Sequence, residues 1–243
     1  MRLLADWAPE SRAGAWLLIV SVAGAALAMG TVYTLTLCIV TFGLAGATAL
    51  AFWSAESNSP RRAATLLLLT GIALTAYSAL ETLPMPVSLL AEIAPRNADI
   101  WAHALAPLHE AGPRWAPISL DPTATRIEIL KGVAYLLTFV TALRVARKRG
   151  GVSFLSGALV VIGMLLALLA VLHPALGVHK LYGIWKPSEL RSRHVAPLIN
   201  PNNLASYLNI AFCLALAAAI APEPRLPRPI PGSIALVLAA IQV

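Results

Sequence analysis

Charged side chains are scarce in this chain. Asp, Glu, Lys and Arg make up 12% of its 243 residues, about half of the share that is usual in a soluble domain. Cysteine is also rare, with two residues in the whole chain, which excludes a small secreted module held together by disulfides. Apolar residues take their place, because 58% of the chain is hydrophobic and the mean hydropathy is +0.76. This composition excludes a soluble enzyme and a disordered tail, and it predicts a membrane protein.

The lengths of the charge-free segments give the number of predicted spans, because a bilayer core about 30 Å thick needs about 20 apolar helical residues for one crossing. Residues 13–55 contain no charge over 43 residues, which is enough for two spans hinged near Gly30. Four further spans and a truncated seventh helix follow. We predict an all-α polytopic transmembrane helical bundle that forms a single domain over 1–243. Its approximate helices are 13–29, 31–53, 63–81, 125–146, 151–172, 202–222 and 230–243, with short interfacial helices in the first long outer loop.

The positions of Lys and Arg predict the orientation, because cytoplasmic segments of membrane proteins carry an excess of both. If the N-terminus is cytoplasmic, ten of the eighteen basic residues lie on short inner segments. The other eight are spread over two longer outer loops and the mouth of the fourth span. The inner set includes a cluster of Arg144, Arg147, Lys148 and Arg149. We therefore predict a cytoplasmic N-terminus, and the net charge of +7 needs no nucleic acid to explain it.

Asp121 and Pro122 mark the point where the first outer loop returns to the membrane. Asp accepts hydrogen bonds from the free amides of a helix start, and proline fits the first helical position. Thr125 and Glu128 form an alternative start as a capping box. Either start places Arg126 at the outer mouth of the fourth span.

The second outer loop ends in the same pattern of a capping residue before a proline. Asn200 precedes Pro201, and Asn202 and Asn203 then lie in the first turn of the sixth span. In the first outer loop, residues 97–110 predict a short surface helix with Trp101 as its anchor in the headgroup zone. Both cysteines lie in apolar runs and are interpreted as small core residues.

Three stretches together resemble the O-antigen ligase and polymerase family of bacterial membrane glycosyltransferases. They are residues 81–86 (ETLPMP), residues 118–126 (ISLDPTATR) and residues 197–208 (PLINPNNLASYL). Their order, spacing and positions relative to the spans agree with the N-terminal half of such a protein. The family continues with further helices and a large periplasmic loop that carries catalytic arginine and histidine residues. The resemblance therefore implies that residues 1–243 by themselves are inactive.

The resemblance implies a metal-independent reaction at the outer face of the inner membrane. A glycan moves from an undecaprenyl diphosphate carrier to an acceptor sugar hydroxyl, as in lipopolysaccharide biosynthesis. Diphosphate oxygens need cationic or hydrogen-bonding donors, and the acceptor hydroxyl needs a base. The candidate base is His194, and we expect neither a metal site nor a cofactor. The candidates for diphosphate and glycan contacts are Arg126, Arg191, Arg193, Asn200, Asn202 and Asn203.

Each of these candidate residues also has an interpretation without a catalytic or substrate-binding role. The arginines can be solvated loop charges or contacts to phospholipid headgroups, and Arg126 can pair with Glu128 or Asp121. Asn200 is favoured as a helix cap. The alternative for the whole chain is a non-enzymatic membrane protein, either half of a transporter or an assembly partner that binds a separate C-terminal half. The expected partners are lipid-linked glycan and membrane lipids.

Overall fold

The fold is described from a computed structural model, which gives residues 7–53, 62–178, 180–183, 196–198, 200–221 and 229–241. Helices dominate these residues, and two short strands pair antiparallel with Met85 opposite Ala116. The elements in chain order are α1 (Pro9–Leu27), α2 (Thr34–Trp53), α3 (Arg62–Glu81), β1 (Met85–Pro86), α4 (Val87–Ile93), α5 (Pro95–His103), β2 (Trp115–Ala116), α6 (Pro122–Ala146), α7 (Gly151–Ala175), α8 (Pro201–Ile220) and α9 (Pro229–Ile241).

Within the described part of the chain, six helices are long and apolar enough to cross a membrane: α1, α2, α3, α6, α7 and α8. The prediction of an all-α polytopic helical bundle is therefore confirmed. The seventh apolar helix, α9, has 13 residues, fewer than a crossing needs. Short helices α4 and α5 occupy the first long loop, as predicted.

The helix ends differ from the predicted ones by a few residues. The predicted ends were placed at the nearest charged or polar residues, and a helix can continue through such residues. The first span begins at Pro9 and not near residue 13, and its first turn carries Glu10. The fifth span continues beyond residue 172 to Ala175. His173 fits into its last turns because its Nδ1 lies 2.9 Å from the carbonyl oxygen of Leu169.

The hinge predicted near Gly30 is present between α1 and α2. A short 3₁₀ turn, Met29–Thr31, joins the two helices, and Gly30 has a φ of 66°. A side chain at this position would be strained, and its Cβ would lie 3.2 Å from Leu198. Glycine thus permits both the left-handed turn and the close approach of the loop between α7 and α8.

The chain divides into two compact units, which we treat separately. One comprises residues 1–55 and 141–243, and the other comprises residues 56–140. In the first unit, Ile19 of α1 packs with Ile162 and Leu166 of α7. A second cluster joins Ala167 of α7, Leu208 of α8 and Leu238 of α9.

In the second unit, the loop between α3 and α6 forms a small subdomain of its own. Leu90, Ala98 and Ala116 are its buried core, and the backbone N–H of Ser119 donates to the carbonyl of Glu81 at 3.0 Å. The surface helix predicted over 97–110 is shorter and begins earlier, at Pro95. Asn97 therefore lies inside this helix, and its side chain donates to the carbonyl of Ile118 at 2.6 Å.

Candidate functional site

The first turn of α8 is built around Asn200. Its side-chain Oδ1 accepts a hydrogen bond from the backbone N–H of Asn202 at 2.9 Å, and its carbonyl accepts from the N–H groups of Asn203 and Leu204. The helix therefore starts at Pro201, as the Asn-Pro pattern predicts. Asn200 therefore fixes the conformation of the first turn of α8, and its side-chain Oδ1 already has a hydrogen-bond partner.

Asn202 and Asn203 are left with exposed side chains at this mouth. The backbone carbonyl of Asn202 accepts a hydrogen bond from the hydroxyl of Ser206 at 2.8 Å. Among the described residues, neither carboxamide has a side-chain hydrogen bond. A helix N-terminus attracts negative groups, and each carboxamide adds two N–H donors. This turn can therefore donate hydrogen bonds to phosphate oxygens or sugar hydroxyls.

The start of α6 shows the same capping by Asp121. Its Oδ1 accepts from the backbone N–H of Ala124 at 2.9 Å, and its carbonyl accepts from the backbone N–H of Thr125. The hydroxyl of Thr125 also lies 2.7 Å from that of Ser119, which holds the preceding loop. The alternative start at Thr125 is wrong, because Glu128 does not reach back to cap the helix. The carboxylate of Glu128 pairs with Lys131 at 2.7 Å.

Arg126 is exposed in the second turn of α6. The two carboxylates proposed as its structural partners are engaged elsewhere, Asp121 with the helix start and Glu128 with Lys131. Within the described residues, Arg126 forms no ion pair. Its guanidinium is thus available to an anion near the helix N-terminus, where the macrodipole also favours negative charge.

Arg126 and the asparagines belong to different units, so each is a separate candidate. Arg126 lies in the unit of residues 56–140, and Asn200, Asn202 and Asn203 lie in the other. Arg191, Arg193 and His194 lie outside the described residues. In the described part of the chain, no group of three or more His, Cys, Asp or Glu residues is arranged to hold a metal ion.

Two tyrosines, Tyr182 and Tyr207, were given no role in the prediction from the sequence. Tyr182, in the loop that follows α7, donates from its hydroxyl to the carbonyl of Leu27 at 2.7 Å, and partial burial raises the pKa of its phenol. Tyr207 lies one turn after Asn203, and its hydroxyl is buried without a hydrogen-bond partner among the described residues. The sequence offered one signal for Tyr207, because this residue lies in the segment NPNNLASYL that carries the family resemblance. No sequence pattern marks Tyr182.

The remaining polar candidates are structural in position. His173 is 9% exposed, and its ring packs edge-on against Tyr182 with centroids 6.3 Å apart. Cys213 is exposed on α8 and is not a core residue, whereas Cys38 is partly buried.

The buried polar residues of the described spans include no Asp, Glu, Lys or Arg. The described spans thus lack the buried midspan charge that ion-coupled transport commonly uses.

In the part of the chain that the structure describes, six helices are long and apolar enough to cross a membrane, which defines the class as a multi-pass helical membrane protein. No family model, no curated protein and no solved structure matches this chain.

Proposed function

We propose that this chain is the N-terminal membrane portion of an O-antigen ligase-like glycosyltransferase. The complete protein would transfer a glycan from undecaprenyl diphosphate to an acceptor at the outer face of the bacterial inner membrane. Two kinds of support meet in this proposal. One is the resemblance of three sequence segments, and the other is the structure that two of those segments adopt at the mouths of spans.

The observation that carries the proposal is the first turn of α8. Asn200 completes the cap with its own side chain, so a fold-stabilising role for this turn requires nothing more. Asn202 and Asn203 nevertheless follow with exposed, unengaged carboxamides. In aqueous or headgroup surroundings, such donors at a helix N-terminus suit the oxygens of a diphosphate or a sugar.

Arg126 is a second, independent support at the mouth of α6. Its guanidinium presents five N–H donors and can bind a phosphate in a bidentate manner. The structural alternative, an ion pair with Asp121 or Glu128, is not formed. A cation near a helix N-terminus gains nothing from the macrodipole, and a bound anion would compensate for that.

The proposed location follows from the distribution of basic residues. The positive-inside rule favours a cytoplasmic N-terminus, which places the loops before α6 and α8 on the outer side. A lipid-linked glycan presents its diphosphate at that surface. Arg191, Arg193 and His194 stay candidates for diphosphate contacts and for the base on the same outer loop.

Binding of the carrier lipid tests the proposal without requiring turnover. The chain would be purified in detergent and titrated with undecaprenyl diphosphate, with undecaprenol as the comparison ligand, and binding would be followed by native mass spectrometry. We expect the diphosphate to bind more tightly than the alcohol. Asn202→Ala should weaken diphosphate binding at the start of α8 about 10- to 150-fold, since one hydrogen bond to a charged group contributes about 1.5–3 kcal/mol. Arg126→Ala tests the separate candidate at the start of α6 by the same measurement.

Asn209→Ala is the matched control, because Asn209 is exposed on the same helix but lies two turns away from its mouth. It should leave the affinity unchanged. Equal binding of undecaprenol and undecaprenyl diphosphate would contradict the proposal. So would equal effects of Asn202→Ala and Asn209→Ala, because the mouth of α8 would then have no special part in binding.

A further inference from the structure

A groove runs between α3 and α6 in the unit of residues 56–140. Its internal volume is about 370 Å³, and it is open along one side. Gly71 and Gly132 form its narrow part: a Cβ on Gly132 would lie 2.6 Å from the Thr75 hydroxyl. The full lining is Leu67, Gly71, Leu74, Thr75, Gly132, Tyr135, Leu136 and Phe139.

The surface of this groove is almost wholly apolar. The hydroxyl of Thr75 donates to the carbonyl of Gly71 at 2.9 Å, so its own helix satisfies it. Leu74 and Leu67 are each 64% exposed, and Tyr135 is 70% exposed. These side chains lie within helices that cross the membrane, where a hydrocarbon chain and not water is the surrounding medium.

A charged pair lies one turn above the groove on α6. Glu128, Gly132 and Tyr135 follow one another at helical spacing and therefore share one face. Lys131 donates to the carboxylate of Glu128 at 2.7 Å. An ammonium group has three donors, so this bond leaves Lys131 able to donate to a second acceptor. The groove thus has an apolar body and a mouth with one positive and one negative group.

The same end of the groove carries a further acidic residue. Glu81 is the last residue of α3, and its carbonyl accepts from Ser119 just before α6 begins. The carboxylate of Glu81 is hydrogen-bonded to the hydroxyl of Tyr77 on the same helix, so the charges at the mouth of the groove come from the pair of Lys131 and Glu128. A pair of opposite charges suits a lipid head that itself carries both a phosphate and an ammonium group.

We propose that this groove binds one phospholipid with a primary-ammonium head, such as phosphatidylethanolamine. One acyl chain lies along Gly132 and Phe139, the phosphate accepts from Lys131, and the ammonium donates to Glu128. The distance along α6 from Lys131 to Phe139 is about 12 Å, which matches the upper part of an acyl chain. The site is independent of the glycan-carrier proposal, and either can hold without the other.

The groove can be filled without disturbing a buried core. Leu74→Trp places a larger side chain at the open side of the groove, where Leu74 is exposed. Leu69→Trp is the matched control, because Leu69 is 56% exposed on the same helix but does not line the groove. The charged pair is tested by Lys131→Gln and Glu128→Gln, with Glu110→Gln in the exposed loop as the control.

Native mass spectrometry of the purified chain would measure lipid occupancy in separate titrations. The lipids are phosphatidylethanolamine, phosphatidylcholine, phosphatidylglycerol and undecaprenyl phosphate. We expect phosphatidylethanolamine to bind at least about threefold more tightly than phosphatidylcholine, whose quaternary ammonium has no N–H donor. Lys131→Gln and Leu74→Trp should reduce phosphatidylethanolamine binding by about threefold or more. Glu128→Gln should remove the preference over phosphatidylcholine, and both control variants should behave as the unaltered chain does.

Three results would overturn the inference. Equal occupancy in Leu74→Trp and Leu69→Trp would show that bound lipid does not occupy the groove. Binding of phosphatidylglycerol equal to that of phosphatidylethanolamine would show that the ammonium is not recognised. Tighter binding of undecaprenyl phosphate that Leu74→Trp abolishes would assign the groove to the glycan carrier instead, and would leave the other proposal intact.

Discussion

The hydroxyl of Tyr182 donates a hydrogen bond to the backbone carbonyl of Leu27 across 155 positions of the chain, with an O···O distance of 2.7 Å. Leu27 is the last residue of α1, and its carbonyl has no partner within the helix. The phenol thus ties the loop between α7 and α8 to the end of the first span. Leu198 reinforces this attachment where it approaches Gly30.

Replacement of Tyr182 by phenylalanine should therefore destabilise the chain. We expect a loss of about 0.5–1.5 kcal/mol in the free energy of unfolding, the usual contribution of one such hydrogen bond. Titration of the purified protein with a denaturing detergent would measure it. Tyr33→Phe is the control, since Tyr33 is 48% exposed and its hydroxyl has no hydrogen bond among the described residues. Equal effects of the two variants would refute the role of Tyr182.

The stability conferred by Tyr182 should also depend on alkaline pH. Burial raises the pKa of its phenol above 10.0, so the folded state holds this proton more tightly than the unfolded state does. The contribution is complete below pH 10 and decreases as the pH rises through the raised pKa. Unfolding measured between pH 8 and 11 should show a steeper alkaline loss in the unaltered chain than in Tyr182→Phe. Parallel pH profiles would contradict this.

A hydrogen bond between Thr48 of α2 and Thr141 of α6 should couple the two helices. Their hydroxyl oxygens are 2.7 Å apart, and Thr141 is fully buried. A double-mutant cycle of Thr48→Val and Thr141→Val should give a coupling energy of about 0.6 kcal/mol and at most about 1.7 kcal/mol. Thr138→Val is the comparison, because its hydroxyl donates to Ala134 in its own helix. A coupling energy of zero would exclude a stabilising contact.

The crossing of α7 and α8 should depend on Gly163. A Cβ at this position would collide with the Cβ of Ala211. Gly163→Ala is expected to lower the free energy of unfolding by about 1–3 kcal/mol, the usual effect of overpacking. Gly157→Ala on the same helix meets nothing within 4 Å and should be neutral or slightly stabilising. Detergent-unfolding curves of the two variants would compare them directly, and similar curves would refute the close contact.

The predicted orientation can be read from cysteine labelling. In a background with Cys38→Ala and Cys213→Ala, single cysteines would be placed at Ala8 and Ala104, both of which are exposed. In intact bacterial cells whose outer membrane is permeable, a membrane-impermeant maleimide should label the cysteine at 104. It should label the one at 8 only after lysis. The reverse pattern would show that the N-terminus is outside.

Local chemistry is what the sequence predicted well. The number of spans follows from charge-free length, because a bilayer requires about 20 apolar residues for each helix. The starts of α6 and α8 follow from Asp121-Pro122 and Asn200-Pro201, because capping involves residues only two or three positions apart. The capping box at Thr125 was wrong because Glu128 has a closer partner in Lys131.

Contacts between distant segments were beyond the reach of the sequence. Nothing in the pattern around Tyr182 points to Leu27, and nothing around Lys131 indicates a groove between α3 and α6. The exposure of Cys213 was also missed, since an apolar run does not say which face of a helix meets its neighbours. In a membrane the outward face is as apolar as the inward one, so hydrophobic periodicity loses its information there.

The sequence by itself determined an all-α membrane protein with six crossing helices, the hinge at Gly30 and the caps at the mouths of α6 and α8. These features depend on composition and on neighbours in the chain. Only the tertiary structure decided that Arg126 has no carboxylate partner in the described residues and that Asn202 and Asn203 stay unengaged. It also decided that Gly71 and Gly132 leave a groove beneath a charged pair. Such outcomes depend on which helices approach each other, and side-chain volume and hydrogen-bond competition between distant residues set that approach.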